Sequence, residues 1–313
     1  MDRISRRSTL TALLALVGAA DTTQIDYGGG SVTVSFRGAD FDLPGAALVE
    51  WVRTAARAVT SYYGRYPISR AAIRIVGVPG RGGVLSGRSF GRDGAQCRMT
   101  VGQQVTRQQL DRDWTMTHEM VHFAFPSVED RHHWIEEGSA TYVEPIARAQ
   151  VGNLSPREAW RDMVRDMPQG LPKPGDRGLD LTHTWASTYW GGALFCLVAD
   201  VRIRERTGNA KGLQDALRAI NRAGGTIDVE WPLEKAFGTG DKATGTTVLT
   251  DLYAEMREKP APLDLPALWN RLGIDSDGKT IAFTNGAPLA AVREAILPVD
   301  TKPRAAETAA PLP

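Results

Sequence analysis

The chain has 313 residues, a formal net charge of +1 and 42% apolar residues, which suits one large globular domain or two smaller ones with a sizeable core. Near-neutral charge without a dominant basic patch argues against nucleic acid as a partner and against a strongly acidic substrate. With only Cys97 and Cys196 present, a tetrathiolate zinc site is excluded by counting; one disulfide and two buried free thiols stay open as alternatives.

The N-terminus carries a short basic region ending in Arg6-Arg7, then a small and apolar run from Thr11 to Ala20. This order reads as an export signal over residues 1–20, cleaved near Asp21. Ser5-Arg6-Arg7 resembles a twin-arginine signal, while Thr9 stands where that pattern prefers a large apolar residue and leaves the ordinary secretory route open. No later segment is apolar over the ~18 residues that spanning a bilayer needs. The expectation is a bacterial periplasmic or secreted protein with no membrane span.

Ser31 to Phe36 alternates as a strand, Ala46 to Tyr63 has helical apolar spacing closed by Gly64, and Ala71 to Val78 is a second strand. The Gly- and Arg-rich stretch from Gly80 to Gly102 holds two short β-prone pieces, Val84 to Phe90 and Gln96 to Val101, and predicts a small, mostly antiparallel sheet. Helices are expected over Trp114 to Phe125, His133 to Gln150, Pro156 to Met167, Trp185 to Thr207, Lys211 to Ala223, Val248 to Lys259, Leu265 to Arg271 and Pro288 to Ile296. Pro168 to Asp180 reads as a long loop, and the Pro- and Ala-rich tail 301–313 as disordered. Strands first and helices second make the fold class α+β, with 21–125 as a sheet and metal-helix lobe and 126–300 as a helical lobe.

The segment Thr117-His118-Glu119-Met120-Val121-His122 lies on the first of the later helices. Two imidazoles four residues apart on a helix stand one turn above each other and can hold one metal ion, and Glu119 is placed to take a proton from a metal-activated water. Catalytic zinc usually takes three protein ligands. The third can come from His132, His133, Glu136 or Glu137, all shortly downstream.

Three ordered motifs resemble the gluzincin metallopeptidases, within them the aminopeptidase N and glycyl aminopeptidase families. After the histidine helix comes Trp134-Ile135-Glu136-Glu137-Gly138, then Glu144, then Tyr189-Trp190-Gly191-Gly192. The resemblance implies a thermolysin-like zincin core binding Zn2+ through His118, His122 and Glu137. It further implies Glu119 as general base, Glu144 as a carboxylate orienting a ligand imidazole, and Tyr189 as a donor to the transition-state oxyanion. The implied substrate is a peptide or protein lying along the strand at Gln96 to Val101, taken as the sheet edge. Three features depart from the families, the first being Gly191, where they carry a lysine before the position of Gly192. The 14 residues between His122 and Glu137 are fewer than usual there. Where aminopeptidases carry a glutamate for the substrate amine, the nearest equivalent is Gly94-Ala95-Gln96-Cys97-Arg98, without a carboxylate. A binding or scaffold protein that keeps the zinc core without turnover is the alternative, as is a zinc hydrolase acting on another electrophile.

Overall fold

The computed structural model describes residues 22–277 and 280–299; the expected export signal and C-terminal tail lie outside the described residues. Strands β1 (Thr22–Tyr27) and β2 (Gly30–Gly38) form a hairpin whose two-residue turn, Gly28-Gly29, has φ of 55° and 87°, the left-handed region that tight hairpins demand. Helix α1 (Gly45–Tyr63) lays Leu48, Val52, Ala55, Ala56, Val59 and Tyr63 into the core and stops at Gly64, φ 77°. The chain then re-enters the sheet as β3 (Arg70–Val78) and closes with the hairpin of β4 (Val84–Phe90) and β5 (Ala95–Gly102).

The sheet order is β1-β2-β3-β5-β4. The outer pairs are antiparallel, while β2/β3 and β3/β5 are parallel. The sheet is therefore mixed, not mostly antiparallel. The α1 crossover returns the chain to the starting end of β2, and β3 then runs parallel to it. Order within the last hairpin corrects a second expectation. Strand β5 is interior, paired on both sides, with Ala95, Cys97, Met99 and Val101 buried. Of the two strands of this hairpin β4 is the one at the edge, at the opposite end of the sheet from β1.

Beyond the sheet come α2 (Arg107–Arg112), α3 (Thr115–His122), α4 (His133–Gln150), α5 (Pro156–Asp166), α6 (Gly192–Arg206), α7 (Leu213–Arg222), α8 (Leu233–Thr244), α9 (Val248–Met256) and α10 (Leu265–Leu272). An antiparallel strand pair, β6 (Ile274–Ser276) with β7 (Ile281–Phe283), and α11 (Ala290–Ile296) are the last elements among the described residues. Among the described residues no helix is long and apolar enough to cross a membrane. Cys97 and Cys196 are both buried and free.

Two devices fix the helices behind the histidine helix α3. Gly138 in α4 and Gly192 at the start of α6 touch backbone to backbone, a Cβ on Gly138 falling 2.3 Å from Gly192 Cα. Buried Asp180, in the loop after α5, accepts from Trp134 Nε1 at 2.8 Å and from the Tyr253 hydroxyl at 2.7 Å, and lies 3.1 Å from His132 Nδ1. Arg131 Nε donates to His132 Nε2, which places the ring proton on Nδ1, facing Asp180. Loop, α4 and α9 are thus joined at one buried carboxylate.

Candidate metal centre

Helix α3 is short, and its entry is fixed by Asp113, whose Oδ2 accepts from Met116 N at 3.0 Å and from Trp51 Nε1 at 3.1 Å. The helical spacing turns His118 and His122 to one side, with ring centroids 5.0 Å apart. Helix α4 brings Glu137 against them. Its Oε2 lies 3.1 Å from His118 Nε2 and 3.5 Å from His122 Nε2, and the candidate ligand atoms of the three residues all lie within 4.8 Å of one another. Two imidazole nitrogens and one carboxylate oxygen converging on a point make a donor set suited to zinc.

Electrostatics follow the same geometry. Burial alone would raise the Glu137 carboxyl, but hydrogen bonds from His118, His122 and His133 outweigh it and hold the group well below the carboxylate range. Burial lowers the His118 pKa more than Glu137 raises it. For His122 burial also acts downward, and the contacts with Glu137 and the charge of Glu119 win, giving a net rise.

Glu119 is 7% exposed and is held by two residues on one face of β4. Ser89 Oγ donates to its carbonyl at 2.8 Å. Gly87 lies flat against its side chain, where a Cβ would stand 2.5 Å from Glu119 Cγ. Tyr189 comes from a π-helical turn, Ser187–Gly191, that opens directly into α6. Its ring stacks on His118 at 6.0 Å and 12°, which brings the phenol into the field of Glu137. Burial first, then the negative charge of Glu137, raises its pKa, so the phenol stays protonated as a donor.

The remaining candidates fall elsewhere. Glu144 lies two turns beyond Glu137, buried, and its Oε1 accepts from Arg148 Nη1 at 2.9 Å. No hydrogen bond joins it to a site histidine among the described residues, and the buried His118 Nδ1 has no partner there. Burial, partly offset by Arg148, lifts Glu144 to about 7. His133, expected as a possible third ligand, supports the carboxylates of α4 instead. It contacts Glu136 at 2.7 Å and Glu137 Oε1 at 3.3 Å, and those bonds, Glu136 first, push it up to about 10. His132 is committed to Asp180, and Glu136 to Val128 N and His133.

Sequence reasoning missed Gly87 and Trp114. Trp114 stands four residues before His118 and meets its ring edge-on at 5.4 Å; the helical spacing was the available signal. A glycine inside an alternating strand, the mark of a close approach, was the signal for Gly87.

No family model and no curated protein matches the chain. Among solved structures it is similar to an aminopeptidase N family protein from Idiomarina loihiensis, at 13% identity and a TM-score of 0.57, over 82% of this chain and 50% of that one. It is also similar to a mutant M1 zinc metallopeptidase from Deinococcus radiodurans bound to a Tyr-Ser-Ala substrate, at 16% identity and a TM-score of 0.52, over 79% and 53%. Its fold resembles that of M1 peptidase domains. The chain spans about half the length of these proteins.

Proposed function

We propose that the protein is a zinc-dependent peptidase with a thermolysin-like gluzincin core. The carrying observation is the convergence of His118, His122 and Glu137 on one point, with Glu119 and Tyr189 beside it. His118, His122 and Glu137 would hold the ion. Zinc bound there would supply a Lewis acid that polarises a carbonyl and acidifies water. Glu119 takes the proton of the attacking water and passes it to the leaving amine. Tyr189, kept protonated, donates to the developing oxyanion. The basic and then apolar N-terminal run supports a bacterial periplasmic or secreted setting for this activity.

The substrate is an extended peptide added to the open edge of β4. That strand, Val84-Leu85-Ser86-Gly87-Arg88-Ser89-Phe90, carries an arginine and no carboxylate to hold a free amino terminus. Internal or blocked peptides are therefore favoured over free N-termini. Glu119→Gln tests the assignment on an unstructured protein substrate. The variant is expected to keep stoichiometric zinc and to lose at least ~100-fold in turnover. Full activity in the zinc-loaded variant would overturn it.

A further inference from the structure

The chain has eight tryptophans, and two of them behave unlike the others. Trp51, Trp134, Trp160, Trp231 and Trp269 are buried and Trp190 is half-buried, while Trp114 is 51% and Trp185 60% exposed. These two are the most exposed large apolar side chains among the described residues. Both sit at the metal centre. Trp185 stacks on Tyr189 at 5.6 Å and 26°, Tyr189 stacks on His118 at 6.0 Å and 12°, and Trp114 meets His118 edge-on at 5.4 Å and 89°. The result is a continuous aromatic array, Trp185-Tyr189-His118-Trp114, with a candidate ligand inside it and a water-exposed indole at each end.

Indoles are strongly driven out of water, and an exposed pair beside a reactive centre offers large, rigid apolar faces to whatever binds there. The backbone of β4 supplies hydrogen bonds that do not distinguish side chains, so selectivity has to come from such faces. Among the described residues no arginine or lysine stacks on either indole.

We infer that the site selects peptide segments carrying a large apolar or aromatic side chain, received against Trp114 and Trp185. The inference deepens the peptidase reading and rests on it for the identity of the ligand as a peptide. Trp185 is the specificity-determining residue open to clean test, because Trp114 also begins the metal helix, its carbonyl accepting from His118 N.

The test uses the zinc-loaded full chain and acetyl- and amide-capped peptides, identical except for one central Phe, Lys, Glu or Ala. Cleavage is measured with the natural sequence, and equilibrium binding with Glu119→Gln. The Phe peptide is expected to exceed the Ala, Lys and Glu peptides by at least ~10-fold in kcat/KM and in affinity. Trp185→Ala should shrink that ratio to about 3-fold or less, and Trp185→Phe should restore most of it. Equal treatment of Phe and Ala, a preference for Lys, or a uniform loss on every peptide in Trp185→Ala would each overturn the inference. Binding selectivity without cleavage would sustain it while removing the peptidase reading. Cleavage without selectivity would do the reverse.

Discussion

Gly87 and Glu119 meet with no room for a methyl group between them: a Cβ at Gly87 would stand 2.5 Å from Glu119 Cγ and 2.8 Å from its Oε1. The sheet edge and the reactive carboxylate are therefore placed by one contact. Gly87→Ala must displace the Glu119 side chain, since the strand at Gly87 is itself paired to Met99. Misplacement of a reacting group by about 1 Å costs roughly 100-fold. The expected result is a fall of that order in kcat with zinc retained, read by steady-state kinetics beside metal analysis. Unchanged kcat would mean that Glu119 is not placed by this contact.

Tyr189 offers a second separable effect. Because burial and the Glu137 charge raise its pKa, it remains a donor through mildly alkaline pH. Tyr189→Phe keeps the stacking on His118 and deletes the hydroxyl. Loss of one such donor costs on the order of 100- to 1,000-fold in kcat. Zinc content should not change; a variant as fast as the natural chain would remove Tyr189 from the chemistry.

The Gly138–Gly192 contact makes a stability prediction. A Cβ on Gly138 would lie 2.3 Å from backbone atoms of Gly192, and one on Gly192 would lie 2.1 Å from the Trp134 carbonyl oxygen. Backbone cannot rotate aside as a side chain does, so either alanine forces α4 and α6 apart. Overpacking of this kind costs about 1–3 kcal/mol. Denaturant titration of Gly138→Ala measures it, and a stability equal to the natural chain would contradict the packing described.

Glu144 supplies a pH dependence whose sign is fixed. Its carboxyl is lifted from the usual 4.5 to about 7, by burial first and against the pull of Arg148. Between these values the folded chain keeps a proton that the unfolded chain has released, so this contribution to stability is whole below 4.5 and lost as pH rises through 7. Glu144→Gln has no such slope. Relative to the variant, the natural chain should lose up to roughly 3 kcal/mol across that window. Unfolding curves of the two proteins at several pH values decide it, and parallel behaviour would count against the shift.

Local signals were readable in the sequence to the extent that they are local. The span His133 to Gln150 is α4 and Val84 to Phe90 is β4, because periodicity and bounding turns act over a few residues. The convergence of His118, His122 and Glu137 followed from helical spacing and a family-like motif. Strand order was not readable, since it depends on which strand the β4–β5 hairpin presents to β3, a choice made by distant residues. Helix α8 escaped notice because Gly238 and Gly240 weaken its propensity. Gly240 is there for packing: a Cβ on it would meet Leu249 at 2.6 Å. The capping pair Thr106 and Gln109 marked α2, but the helix is too short for apolar periodicity to support it.

The buried carboxylate of Asp180 has a genetic consequence. Tyr253, from α9, and Trp134, one turn before Glu137, share it, so damage to Tyr253 reaches the helix that presents a candidate ligand. A screen scoring only lost activity would place Tyr253 among the active-site positions, although its hydroxyl serves Asp180. Suppressors of such a lesion would be expected in the loop around Asp180 rather than around the metal.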